Sequence, residues 1–152
     1  MFVYLEGTSL ALWVSLSLWA YPMLLAAHIM GLSIAVGLFA IRDLSCLRFL
    51  PRAIVAEESF RGFHRLALFG LIVNAVSGFL LFSSQASYLA ENGAFLSKMA
   101  CVVLGSLAAI MIQRRLEGTL AYDSIHTRLL AVFSLTLWLA AIVAGRLIAY
   151  WI

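Results

Sequence analysis

The sequence has little charge, little proline and little cysteine. Of its 152 residues, 11% are charged, whereas soluble domains carry about 25% charged residues. The 2 proline and 2 cysteine residues exclude a collagen-like repeat, a proline-rich disordered segment and a disulfide scaffold. Hydrophobic residues make up 64% of the chain, which is more than one soluble core of this size can bury. The composition therefore predicts an integral membrane protein that contacts a lipid bilayer.

Four apolar runs are long enough to cross a bilayer, which takes about 20 apolar residues in a helix. The runs cover residues 21–41, 66–84, 95–112 and 129–152. We expect an all-α integral membrane fold in which these four transmembrane helices form a bundle. Residues 1–152 are expected to make a single membrane domain.

Pro22 divides the first apolar stretch. A proline in a helix interior removes a backbone hydrogen bond and clashes with the preceding turn, but a first turn accommodates it. We therefore expect a short interfacial helix over residues 9–19 and a first crossing that begins at residue 21. The alternative is one long helix that is kinked at Pro22.

The basic residues alternate between the connections. Eight of the 10 lysine and arginine residues flank the connections 42–65 and 113–128, whereas the connection 85–94 has Glu91 and no basic residue. The positive-inside rule makes the first and third connections cytoplasmic loops and 85–94 a periplasmic loop. Both termini are then periplasmic, in a bacterial inner membrane. The four runs contain no acidic residue, which disfavours an ion-coupled transporter.

His28 is the residue that points most directly to a function. It lies about 10 Å below the outer boundary of the first crossing, where ionisable side chains are rare and usually face protein or a cofactor. Gly31, on the same helix face, leaves room either for a flat haem or for a closely packed helix. Two interpretations stay open: His28 binds b-type haem iron or a quinol, or it is a neutral histidine hydrogen-bonded inside the bundle.

Three other polar residues could complete a cofactor site. Lys98 and Arg146 lie toward the outer side and could receive haem propionates or a quinone carbonyl. Alternatively, both side chains extend to the membrane boundary. Asn74 lies near mid-membrane between Gly70 and Gly78, and its amide is expected to bond a neighbouring helix because lipid offers it no partner.

The other two histidines lie at a different level. His64 and His126 are at the cytoplasmic ends of their crossings, about 20 Å from the level of His28. Neither can share a haem with His28, and both are expected to be solvated.

A copper site is the least favoured alternative. Met99 and Cys101, in the outer half of the third crossing, provide soft sulfur ligands of the kind that Cu(I) prefers. Methionine is also a common filler of apolar cores, and no tight methionine spacing is present.

Two stretches resemble a family of uncharacterised bacterial four-helix inner-membrane proteins. Tyr21-Pro22 followed by His28-x-x-Gly31 is similar to the first crossing of that family, and Asn92-x-x-Phe95-x-x-Lys98 to its entry into the third. Where that family tends to have an acid, three residues before the histidine, this sequence has Leu25. The resemblance implies the four-helix fold but no activity. More loosely, the architecture is similar to copper-resistance D-type and cytochrome b-type membrane bundles.

The sequence therefore leaves three hypotheses. The first is a small membrane subunit of a respiratory or redox assembly, which binds b-type haem or quinol near the periplasmic side around His28 and supports electron transfer. The second is a cofactor-free anchor or accessory subunit, and the third is copper handling at the periplasmic face. Each expects other membrane or periplasmic subunits as partners. The positive net charge follows from topology, so no nucleic acid is expected. The chain is not expected to be an enzyme alone.

Overall fold

The computed structural model of the chain describes residues 2–51, 57–119, 124–148 and 150. All regular structure in these residues is helical, and no strand occurs among them. In chain order the helices are α1 (Phe2–Glu6), α2 (Ser9–Leu16), α3 (Ala20–Cys46), α4 (Glu57–Ser84), α5 (Ala86–Glu91), α6 (Gly93–Thr119) and α7 (Ile125–Leu147).

Four of these helices contain segments long and apolar enough to cross a membrane: Ala20–Cys46, Gly62–Ser84, Gly93–Glu117 and Ile125–Leu147. Their outward faces carry bulky apolar side chains at helical spacing, for example Ile72, Val76 and Phe79 on α4, each more than half exposed. A membrane protein presents such a face to lipid, because exposing these apolar side chains to water would be unfavourable. The all-α fold with four candidate transmembrane helices is therefore confirmed.

Pro22 lies in the first turn of α3, as expected from its missing N–H. Residues 17–19 between α2 and α3 are not helical, so the alternative of one long kinked helix is wrong. The Thr8 side chain accepts a hydrogen bond from the Ala11 N–H and thereby caps the start of α2.

Two short helices, α1 and α5, were not predicted. A carboxylate oxygen of Glu6 in α1 accepts a hydrogen bond of 2.7 Å from the Ser87 N–H in the first turn of α5. Phe2 packs edge-on against Phe82, with ring centroids 6.2 Å apart. These contacts join residues about 80 positions apart in the chain, and short-range sequence patterns carry no sign of them.

Helix α3 is longer than predicted. It continues through Arg42 and Asp43, which the sequence analysis assigned to the cytoplasmic loop 42–65. It ends in a Schellman motif: the Phe49 N–H bonds to the Leu44 carbonyl at 3.0 Å, and Arg48 has a positive φ of 66°. Between Arg42 and Pro51 the sequence has no proline or glycine that would end a helix. The charge at Arg42 was therefore a poor marker of the helix end.

The chain divides into two compact units. Unit 1 comprises Met1–Val36 and His64–Asn92, and unit 2 comprises Gly37–Phe63 and Gly93–Ile152. Unit 2 has an apolar core cluster of Cys46, Ile112, Leu116 and Ala131, contributed by α3, α6 and α7. The prediction of a single membrane domain stays a prediction.

Candidate functional site

The His28 imidazole is directed from α3 onto α4 within unit 1. Its Nδ1 lies 2.9 Å from the carbonyl oxygen of Asn74 and 3.3 Å from the Ser77 hydroxyl. A carbonyl oxygen can only accept, so Nδ1 carries the ring proton and donates it to Asn74. The ring is half-buried, and it therefore has the protein-facing orientation on which the haem hypothesis and the structural hypothesis both depend.

The Asn74 side chain makes a second link between the same two helices. Its Nδ2 donates to the carbonyl oxygen of His28 at 2.9 Å. The same Nδ2 is 3.2 Å from Nδ1 and 3.3 Å from Nε2 of His28. A nitrogen nearly equidistant from both ring nitrogens lies over the ring face, because an in-plane position would collide with the carbon between them. The expected hydrogen bond from Asn74 to a neighbouring helix is thus present.

Glycines bring α3 and α4 into backbone contact beside this pair. A Cβ added to Gly31 would lie 2.7 Å from the Gly70 carbonyl oxygen and 2.8 Å from the Asn74 nitrogen. A Cβ on Gly78 would lie 2.9 Å from Cε1 of His28. The small face around Gly31, which suited a haem or a helix equally in the sequence, is therefore covered by α4. We call His28, Asn74, Ser77 and Gly78 the His28 centre.

Lys98 and Arg146 belong to unit 2, whereas His28, Gly31 and Asn74 belong to unit 1. The aliphatic stem of Lys98 packs on Gly145, since its Cδ and Cε lie 3.5 Å from the position of a Cβ on that glycine. Arg146 is exposed, and its Nη2 donates to the Tyr150 hydroxyl at 3.2 Å. Its guanidinium also lies 5.5 Å from the centre of the Tyr150 ring. The Arg146 geometry agrees with a side chain that extends toward a membrane boundary. The Nζ of Lys98, by contrast, also lies on the α7 face, 3.6 Å from the Cβ position of Gly145.

The copper alternative gains nothing from the structure. Met99 is 44% exposed and Cys101 is half-buried. Two residues apart on α6, they project to different sides of the helix. No group of three or more histidine, cysteine or acidic side chains suited to a metal occurs among the described residues.

A second polar centre, which the sequence analysis missed, lies in unit 2. Arg42 and Asp43 are 5% and 0% exposed. Two guanidinium nitrogens of Arg42, Nη2 and Nε, donate to Oδ1 of Asp43 at 2.8 and 3.0 Å. A third, Nη1, donates to the Ala109 carbonyl of α6 at 2.9 Å. Asp43 lies in the first candidate span, Ala20–Cys46, which extends beyond the predicted crossing 21–41. The expectation that no acid lies within the crossings stays a prediction.

Aromatic and hydroxyl side chains surround this ion pair. The Arg42 guanidinium lies 5.2 Å from the centre of the Phe39 ring, which stacks on Trp138 of α7 at 5.6 Å. Trp138 in turn packs on Gly105 of α6, where a Cβ would lie 3.2 Å from the indole ring. The Ser134 hydroxyl lies beside the Asp43 carboxyl. We call Arg42, Asp43, Ser134 and Trp138 the Asp43 centre.

Comparison with known families matches residues 12–151 to a family of unknown function. The chain belongs to the DUF6644 family. The expectation of an uncharacterised family is thus confirmed, and the matched region contains both polar centres. No curated protein and no solved structure matches the chain.

The sequence did contain a signal for the Asp43 centre of this DUF6644 chain. The buried stripe of α3 runs through Gly31 and Ala35 at a spacing of four residues. The same spacing continues to Phe39 and Asp43, which places them on the same helix face. Extending the stripe past the apolar run would have found the buried acid. His64 and His126, by comparison, lie outside both centres, and His126 is exposed.

Proposed function

We propose that this DUF6644 chain is a cofactor-free accessory or anchor subunit of a larger membrane assembly, with both termini periplasmic in a bacterial inner membrane. The observation that carries the proposal is the backbone contact of Gly31 with Gly70. Because of this contact, helix α4 covers the Gly31 face of α3, on which a haem macrocycle would have to lie. Close packing of small residues is the main source of helix association in lipid.

The polar groups of unit 1 support the same function. His28 and Asn74 link α3 to α4 through two hydrogen bonds of 2.9 Å, each to a backbone carbonyl of the partner helix. Groups used in this way stabilise and align helices. The subunit then contributes an ordered membrane surface to its membrane or periplasmic partners, and its outward apolar side chains are the surface available for contact.

Photo-crosslinking in the native membrane tests this proposal. A photoreactive amino acid is placed at Phe79 on α4 or at Leu107 on α6, both more than half exposed, and at Trp138 as a buried control. We expect a discrete protein adduct of fixed mass from at least one outward position and none from Trp138. Lipid adducts alone from both outward positions, with a chain that migrates as a monomer after mild extraction, would contradict an accessory role.

One observation favours a second candidate, the redox subunit with b-type haem or quinol at His28. The bond from Nδ1 of His28 to the Asn74 carbonyl fixes the tautomer that has its lone pair on Nε2. Histidines that bind metals commonly donate their other ring N–H to a backbone carbonyl in this way. In this function the chain would pass electrons to or from a periplasmic partner.

A reduced-minus-oxidised visible spectrum of the purified chain separates the two candidates. The accessory function predicts a spectrum without haem bands. The redox function with haem predicts haem bands that His28→Ala removes and that His126→Ala, a substitution at an exposed histidine, retains.

A further inference from the structure

Buried polar atoms without a partner are concentrated in unit 2. Among the described residues, five side chains of this unit have such an atom and are at most 4% exposed: Asp43 (Oδ2), Gln113 (Oε1), Thr127 (Oγ1), Ser134 (Oγ) and Trp138 (Nε1). More than nine in ten buried polar groups in proteins are hydrogen-bonded, and an unpartnered one costs roughly 1–3 kcal/mol. A cluster of this kind needs an explanation.

Four of these side chains follow one another along the α6–α7 pair. Thr127, Ser134 and Trp138 share the buried face of α7, since they are separated by seven and four residues. The contact of Gly105 with Trp138 fixes the antiparallel register of α6 against α7. In that register Gln113 of α6 lies at a level between Thr127 and Ser134.

Asp43 enters the same series from α3. Ser134 faces its carboxyl group, and the Arg42 side chain beside it reaches the Ala109 carbonyl of α6. The series therefore starts near the connection of α6 with α7 and ends at Trp138. From Thr127 to Trp138 it extends about 16 Å, at 1.5 Å per residue, which is about half the thickness of a bilayer's hydrocarbon core of roughly 30 Å.

The chemistry of the five atoms identifies the ligand. The Trp138 N–H can only donate, the oxygens of Asp43 and Gln113 can only accept, and the two hydroxyls can do both. A metal cation would satisfy the oxygens but not the indole N–H. Water both donates and accepts, and it is small enough for sites lined by fully buried side chains.

We propose that Gln113, Thr127, Ser134, Asp43 and Trp138 line a path of bound water molecules inside unit 2. The path connects the Asp43 carboxylate with the aqueous phase at the end where α6 ends and α7 begins. It gives this membrane-embedded ion pair access to solvent, which neither the accessory nor the redox function requires. The oxygen Oδ1 of Asp43 bonds to Arg42, and Oδ2 bonds to water.

Nuclear magnetic resonance of the full chain in lipid nanodiscs tests the path. The Trp138 indole N–H, assigned by its loss in Trp138→Phe, is expected to show a cross-peak to water and to exchange in D₂O. The side-chain amide of Asn74 is the matched control, because it is also buried but bonds to the His28 carbonyl. It is expected to show no water cross-peak. A Trp138 N–H without a water cross-peak, which persists in D₂O as the Asn74 amide does, would overturn the proposal.

A pair of threonine substitutions on α7 gives an independent test, because bound water and a dry site predict opposite signs for the change in Tm. Thr127→Val replaces a buried hydroxyl by a methyl group. If water binds there, the substitution removes a hydrogen bond and lowers Tm, whereas in a dry site it removes an unpartnered group and raises Tm. Thr136→Val is the control, since Thr136 is exposed and its hydroxyl bonds to the Phe133 carbonyl. We expect Thr127→Val to lower Tm by more than Thr136→Val does, and a Tm above that of the wild type would overturn the proposal.

Discussion

The two units both bury polar residues, but they satisfy them differently. In unit 1, His28 and Asn74 bond to each other's backbone carbonyls, and Ser77 bonds to the Val73 carbonyl. In unit 2, the Asp43 centre has one strong ion pair, and the buried indole N–H of Trp138 has no hydrogen-bond partner among the described residues. A polar residue in a membrane helix is therefore informative only together with its partners. The completed set in unit 1 holds helices together, and the incomplete set in unit 2 indicates a ligand.

The largest expected effect comes from breaking the ion pair of unit 2. Asp43→Ala leaves the Arg42 charge buried without its carboxylate, and breaking such a pair destabilises by about 3–5 kcal/mol. The free energy of unfolding, measured in mixed detergent micelles, checks this value. Hydrophobic replacement of the whole pair is often neutral, so Arg42→Met with Asp43→Leu is expected to recover most of the loss. A double variant as unstable as Asp43→Ala would contradict the account of Asp43 as the partner of Arg42.

The next effect concerns the backbone contact of unit 1. In Gly31→Leu the new Cβ would lie 2.7 Å from the Gly70 carbonyl oxygen, which is too close for two unbonded atoms. Overpacking of this kind lowers the free energy of unfolding by about 1–3 kcal/mol. The same unfolding measurement applies. Gly37→Leu on the same helix is the control, because a Cβ at Gly37 meets nothing within 4 Å. Equal losses from the two leucines would show that α3 and α4 do not depend on the Gly31 contact.

A smaller effect is expected from the hydrogen bonds of unit 1. Asn74→Ala removes the bond to the His28 carbonyl, and such bonds between membrane helices contribute about 0.6 kcal/mol on average, with a maximum near 1.7. Thermal unfolding in the same detergent should show a modest decrease of Tm, well below that of Asp43→Ala. A decrease as large as that of Asp43→Ala would contradict the difference between the two centres.

The smallest effect is expected at the exposed end of α7. Arg146→Gln removes a bond of 3.2 Å to the Tyr150 hydroxyl at the surface, and exposed substitutions of this kind usually change stability by less than about 0.5 kcal/mol. An unchanged unfolding free energy checks this prediction. A loss above 1 kcal/mol would assign Arg146 to a structural site instead.

The His28 centre of unit 1 was largely predictable from the sequence because its signals are local, whereas α1 and α5 of the same unit were not predicted. Pro22 marks a first turn, and the spacing of Gly70, Asn74 and Gly78 places an amide on a smooth helix face. These features follow from backbone sterics and from the period of the helix. The sequence left open whether the Gly31 face packs against a haem or against a helix. The answer depends on the position of α4, which only the structure gives.

Unit 2 was less predictable because its charges neutralise each other. Arg42 was taken as a boundary on the rule that charged residues leave the bilayer core. Two hydrogen bonds from Arg42 to Oδ1 of the adjacent Asp43, and a third to the Ala109 carbonyl, allow both side chains to stay buried. Neither contact can be derived from charge counts, because the ion pair depends on side-chain conformation and the bond to Ala109 depends on how α6 packs against the end of α3.

Radiolytic footprinting of the full chain in nanodiscs tests the difference between the two centres most directly. Hydroxyl radicals formed from water bound inside a membrane protein oxidise the side chains next to that water. The account predicts that Trp138, which is 1% exposed, is oxidised rapidly, whereas the half-buried His28 is oxidised slowly. Rapid oxidation of His28 with an unmodified Trp138 would contradict it.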